Sequence, residues 1–283
     1  MTALDARRLL RRLPGARGLP HRLRTGWERV RPFPLPQYVA GTPRVGGSDP
    51  LDLYLPPTAP TLRAAAMSEE AAKFVVDVLG RMTPMKEFTG HQFYYRWAQE
   101  KFGKHWRHAD LLTTLCAAAY FIRPETYLEI GVCRGRSTAV VGAMSPECAI
   151  YGFDLWIPDY GGAPNPGPDF VRDQLRAVSY AGNVTMVSGD SGKTLSPFLR
   201  EHPDLYFDLI TIDGVKTVAG QGTDFANALP RLKVGGIVVS DDIPLLPVLR
   251  RVWDKVIGGD SRFASWEFAA DGRGVVAAIR VSD

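Results

Sequence analysis

From Tyr127 to the C-terminus, short apolar runs alternate with amphipathic ones, and this constrains the fold of the 283-residue chain more than any other feature. YLEIGV, AIYGFDLW, VTMVSGD, YFDLITIDG and GGIVVSDD are rich in β-branched and aromatic residues and read as strands. STAVVGAM, DFVRDQLRAVSYAG, TLSPFLREH and TDFANALPRL separate them and read as helices, and LLPVLRRVWDKVI follows as another. Such alternation builds βαβ units, so the expected class is α/β with a largely parallel, doubly wound sheet covered on both faces. SWEFAA and GVVAAIRV close the chain as strands joined by DGRG, a hairpin signal that makes one edge antiparallel.

Upstream the texture is different. MTALDARRLLRRLPGARGLPHRLRTGWERVR is dense in arginine, with only Asp5 and Glu28 against it. Pro32 to Pro60 is rich in proline and glycine, which resists regular structure. SEEAAKFVVDVLGRM then offers Ser68 as an N-cap with acids in the first turn. An aromatic-rich stretch follows, and the apolar helix LLTTLCAAAYFI ends before Pro124. The organisation read from this is a basic, Pro/Gly-rich arm over 1–66, a helical aromatic-rich cap over 67–110 and the α/β domain over 111–283. The plain reading of the arm is a poorly ordered or partner-docking segment. Peripheral contact with an anionic membrane is the next alternative, ahead of organelle import and nucleic-acid binding.

Composition excludes some classes. No apolar stretch approaches the roughly 20 residues of a membrane span, and no secretory h-region opens the chain. Cys116, Cys133 and Cys148 lack metal-like pairing and read as free buried thiols of a reducing compartment, which points to the cytoplasm.

The strand ends carry the chemistry. LEIGVCRGRS has the spacing E-x-G-x-x-x-G and lacks the dinucleotide fingerprint; its glycines let backbone approach a ligand beside a helix N-terminus. Asp154 ends the second strand where an acid can accept from ribose hydroxyls. SGDSGKT is no phosphate loop, because Val187 holds the place of the first glycine. Asp190 and Ser191 are instead purine-edge contacts or caps of the next helix. In TIDGVKTVAG, Asp213 and Lys216 leave open a solvated turn, a metal ligand beside a base, or part of a cofactor pocket.

Taken in order, EIGVCRGRS, YGFDLW, VSGDS, FDLITIDG and GGIVVSDD resemble the strand ends of a class I S-adenosylmethionine-dependent methyltransferase over roughly residues 110 to 283. The resemblance implies a Rossmann-like seven-stranded sheet with an antiparallel last strand. It implies that Glu129, Gly131 and Gly135 hold the methionine end of the cofactor, Asp154 the ribose, and Asp190 with Ser191 the adenine. Within that class the glycine turn, including Ser137, is similar to catechol-type and bacterial sugar or natural-product O-methyltransferases. That likeness makes Asp213, Asp241 and Asp242 ligands of a divalent cation, Mg²⁺ by donor type. Lys216 becomes a candidate base, its pKa lowered by desolvation beside the cation. The pattern departs in Asp242, where Asn is usual, and in Lys216, where related bacterial enzymes often carry His.

IPDYGGAPNPGPDF, with Trp156, Asp159 and Tyr160 at its start, is long and irregular and reads as a substrate-side lid. Tyr94, Tyr95, Trp97 and Trp106 offer a cover for the pocket from above or, more plainly, ordinary core packing, and His105 and His108 are alternative bases or, more plainly, structural. The function expected is methyl transfer to a hydroxyl of a small molecule, sugar or natural product. An RNA or protein methyltransferase and a non-catalytic cofactor-binding scaffold are the alternatives. No nucleic-acid partner is expected, and homo-oligomerisation is left open.

Overall fold

Seven strands form one sheet in the computed structural model, which describes residues 58–270 and 273–283. The strands are β1 (Thr126–Ile130), β2 (Ala149–Asp154), β3 (Val184–Ser188), β4 (Phe207–Ile212), β5 (Leu232–Asp241), β6 (Phe263–Ala270) and β7 (Arg273–Arg280). Their order is β3-β2-β1-β4-β5-β7-β6. The first five run parallel, and β7 is antiparallel to both β5 and β6. The reversed last strand is therefore inserted next to β5, leaving β6 at the edge. Residues 1–57, and with them most of the basic arm expected from composition, lie outside the described residues.

Alternate strand residues enter two apolar layers, as the period of two requires. Tyr127, Leu209, Ile237 and Val239 face one layer. Leu128, Ile130, Ile210 and Val238 face the other. On the first side lie α1 (Ala59–Ala66), α2 (Glu69–Arg81), α4 (Leu111–Ile122), α5 (Arg136–Met144) and α6 (Pro168–Ala177), with α3 (Lys86–Phe102) packed beside α2. On the second lie α7 (Ser191–Glu201), α8 (Val218–Ala228) and α9 (Pro247–Trp253).

The composition break at residue 67 is not a break in packing. Helix α1 lies in what composition assigns to the arm, with Leu62 and Ala66 buried in the same layer as Phe88, Leu115 and Ile150. Thr58 caps it, accepting from the Thr61 N–H at 3.3 Å, and Pro60 sits in the first turn, where its missing N–H costs nothing. The cap is continuous with the domain as well: α2 begins on Ser68, and Asp110 caps α4 through the N–H groups of Leu112 and Thr113.

Candidate active site

The C-terminal ends of β1, β4 and β5 meet at one point. Gly131 follows β1 with φ +90°, and a Cβ there would fall 2.6 Å from the carbonyl carbon of Asp213. Only glycine fits so close to another backbone at such a φ. The contact is stitched by hydrogen bonds, Gly131 N–H to the Phe153 carbonyl at 2.9 Å and Asp213 N–H to the Ile130 carbonyl at 2.8 Å. Gly135, at φ +78°, lets α5 start against Val171. Glu129 is fully buried, and its two oxygens accept from the Ser137 and Thr138 hydroxyls. Burial pushes its carboxyl up to about 8 against those hydrogen bonds.

Asp213, Asp241 and Asp242 each turn an oxygen into one cluster, all within 4.8 Å of one another. Asp242 takes φ +63°, with its N–H on the Gly274 carbonyl of β7 at 2.8 Å, so the inserted strand fixes the turn that presents it. Burial and then the charges of Asp213 and Asp242 push the Asp241 carboxyl well above its ordinary range. Lys216 pairs with Asp213 and lies 3.3 Å from Asp242. Burial lowers its pKa, but Asp213 and Asp242 outweigh burial and raise it. The expected lowered pKa, which supposed a cation beside the amine, is therefore reversed where carboxylates alone surround it: Lys216 is an ammonium.

A cavity of about 360 Å³ joins these parts, lined among others by Gly131, Ser137, Asp213, Asp241 and Asp242. Glu129, Gly135, Asp154, Asp190, Ser191 and Lys216 are not among its lining residues. Asp154 has its oxygens on the N–H groups of Cys133 and Trp156, at 2.8 and 2.6 Å, holding the glycine turn to the end of β2. Asp190 caps α7 through the Gly192 N–H at 3.0 Å, and Ser191 donates to Asp224 at 2.7 Å. Of the two readings left open for Asp190, the capping one is realised in the fold.

The opposite wall comes from the cap, through residues that the sequence did not single out. His91 and Asp110 line the cavity with Arg134 and Arg136 of the glycine turn. Arg136 lies 2.9 Å from His91 Nδ1 and 3.4 Å from Glu87, and Arg134 pairs with Glu87 at 2.7 Å. Arg134 also donates to the carbonyls of Tyr160, Ala163 and Pro164, so the loop expected to be a lid is tied to the turn. Trp106 and Tyr95 pack around His108, as expected, and His108 lies 3.5 Å from Asp110. Cys116 and Cys148 are buried free thiols, whereas Cys133 is only half-buried and faces the cavity.

A family model of a methyltransferase domain matches residues 128–243, from β1 through the Asp241–Asp242 pair. No curated protein matches the chain. Among solved structures, the calicheamicin methyltransferase CalS11 is 20% identical, covering 86% of this chain and 100% of its own, with a TM-score of 0.48. The O-methyltransferase TomG from Streptomyces achromogenes, involved in tomaymycin synthesis, is 15% identical over 79% of this chain and 96% of its own, TM-score 0.49. The Podospora anserina methyltransferase PaMTH1 is 16% identical over 75% and 96%, TM-score 0.44.

Proposed function

We propose, on the premise that residues 128–243 form a methyltransferase domain, that this chain moves a methyl group from S-adenosylmethionine to a hydroxyl of a small molecule, assisted by a divalent cation. One observation carries the reading. The glycine turn and the three aspartates open into the same cavity, so a donor held by the turn and a hydroxyl held at the carboxylates would be neighbours. Transfer needs an in-line approach of oxygen to methyl, and positioning supplies much of the acceleration. The hydroxyl's proton leaves to solvent water, its oxygen bonds to the methyl carbon, and the carbon–sulfur bond breaks with its electron pair left on sulfur. The products are a methyl ether and S-adenosylhomocysteine.

The donor set fits a hard cation of the Mg²⁺ type: three carboxylates within 4.8 Å, one of them crowded by the other two. Asp213, Asp241 and Asp242 would hold it, and when bound it supplies positive charge that lowers the pKa of a hydroxyl. Lys216, held as an ammonium by Asp213 and Asp242, orients and stabilises a developing oxyanion. It accepts a proton only when that pair is neutralised. Glu87, through Arg134 and Arg136, keeps the turn and the 160–164 loop in place around the donor.

A sugar or natural product suits the site better than a nucleic acid, because Asp213, Asp241 and Asp242 gather at one end of the cavity, where a phosphate backbone is disfavoured. Free thiols suit a cytoplasmic setting.

The test is calorimetry with S-adenosylmethionine, then turnover of a panel of hydroxylated acceptors and RNA, in excess chelator and with Mg²⁺ or Mn²⁺ returned. Donor binding and chelator-sensitive transfer to a small acceptor are expected. Absence of donor binding sinks the reading. Binding with no transfer to any acceptor favours the scaffold alternative, and full turnover in chelator removes the cation and leaves Lys216 as the charge at the site.

A further inference from the structure

Helix α3 has an inner face in the site and an outer face with no task there. Glu87, His91 and Tyr95 point inward, to the glycine-turn arginines and Asp110. Outward stand Phe93, Trp97 and Phe102, exposed to 70, 41 and 44%. Phe93 and Trp97, four residues apart, share one side of the helix. Trp97 meets Phe102 edge to face with ring centroids 5.8 Å apart, and Lys101 Nζ stands 4.9 Å from the Trp97 centroid and 5.5 Å from that of Phe102. From Lys86 to Arg107 the exposed charges are Lys86, Arg96, Lys101, Lys104 and Arg107 against a single acid, Glu100. On neighbouring α2, Glu69 and Asp77 are already paired with Lys73 and Arg81, and Glu70 adds one further exposed acid.

Large rings left in water inside a ring of cations are the pattern of a helix lying in a lipid interface. Rings enter the headgroup–acyl boundary, lysine stems run along apolar surface, and the cationic ends meet anionic headgroups. No described helix is long and apolar enough to cross a membrane, so such contact is peripheral. We propose that the outer face of α3 is a docking surface for an anionic lipid bilayer. Charge selects the lipid over a second copy of this chain, because a two-fold pairing of this face sets the same excess of cations against itself. The inference stands on the helix face alone and does not depend on the methyl-transfer reading.

The test is co-sedimentation of the full chain with phosphatidylcholine vesicles, with and without phosphatidylglycerol. Binding is expected only with the anionic lipid, falling about tenfold or more in high salt. Phe93→Ser/Trp97→Ser and, separately, Lys101→Glu/Lys104→Glu should each weaken it about tenfold or more without shifting the melting temperature. Should the aromatic pair fail to fold, the charge-reversed pair carries the test alone. Failure of the unmodified chain to sediment with anionic vesicles overturns the proposal, as does undiminished sedimentation of folded variants, which would put the binding elsewhere. A dimer in light scattering that the variants turn into monomer, with no lipid binding, would make the face a self-association interface instead.

Discussion

Asp110 and Asp241 line one cavity, yet their surroundings differ in kind. Asp110 accepts from two backbone N–H groups and the Tyr95 hydroxyl, with His91 and His108 beside it. Burial pushes its carboxyl up, but the two histidines outweigh burial and hold it well below the ordinary range. Asp241 has two more carboxylates for neighbours, and burial and repulsion push it the same way, well above. One acid has every lone pair answered by the fold. The other has charge that the fold leaves for something else to balance. Residue type and position do not separate the two roles, whereas an inventory of donors around each does.

The largest effect expected from this contrast is on turnover. Asp241→Asn should lower kcat/KM by about 100-fold or more while leaving the melting temperature unchanged or raised, because repulsion inside the cluster is relieved. Near-normal turnover would remove Asp241 from the site, and a large fall in melting temperature would erase the distinction from Asp110. Next comes stability. Asp110→Ala strips the cap from α4 and removes both the acceptor of the Tyr95 hydroxyl and the charge beside His91 and His108, which should cost about 3 kcal/mol in urea unfolding. A loss under about 1 kcal/mol would mean that the network is ornamental.

The smallest effect is a slope. Asp224 is another buried acid, pushed up to about 6 by burial, eased by the Ser191 hydroxyl and aggravated by Asp190. Its folded pKa lies above the unfolded one, so the native state binds the extra proton between the two values. Its stabilising contribution is full below the ordinary carboxylate pKa and is lost as pH rises toward 6. Asp224→Asn should remove that loss, so its stability relative to the unmodified chain should grow by at most about 3 kcal/mol between acid and neutral pH. A pH-independent difference would assign the titration elsewhere.

The strand ends were legible in the sequence because each is a local event: an apolar run stopped by Gly131, Asp154, Asp213 or Asp241. So was the reversal of β7, which follows from a hairpin, although nothing local says which of the two hairpin strands joins β5. The far wall was not legible. Glu87 and His91 reach the turn, and Asp110 the cavity, only because α3 and α4 pack on the sheet, and no periodicity marks Glu87 or His91 for a partner about 45 residues away in Arg134 or Arg136. Two signals were present and passed over. Asp110 before LLTTLC is an N-cap signature, and Thr58 followed by Pro60 marks the start of α1 inside a stretch that composition alone makes irregular.

The contact between Gly131 and the Asp213 backbone bears on how this enzyme could be re-engineered. On the proposed reading the donor and acceptor sites meet at this contact, so a side chain introduced at Gly131 displaces both at once. Selections that vary that turn to change the donor will also scramble acceptor geometry, and loss of activity there identifies neither. Variation aimed at the acceptor has a freer route from the cap side, around His91, Leu111 and Leu112, which belong to helices outside the glycine turn.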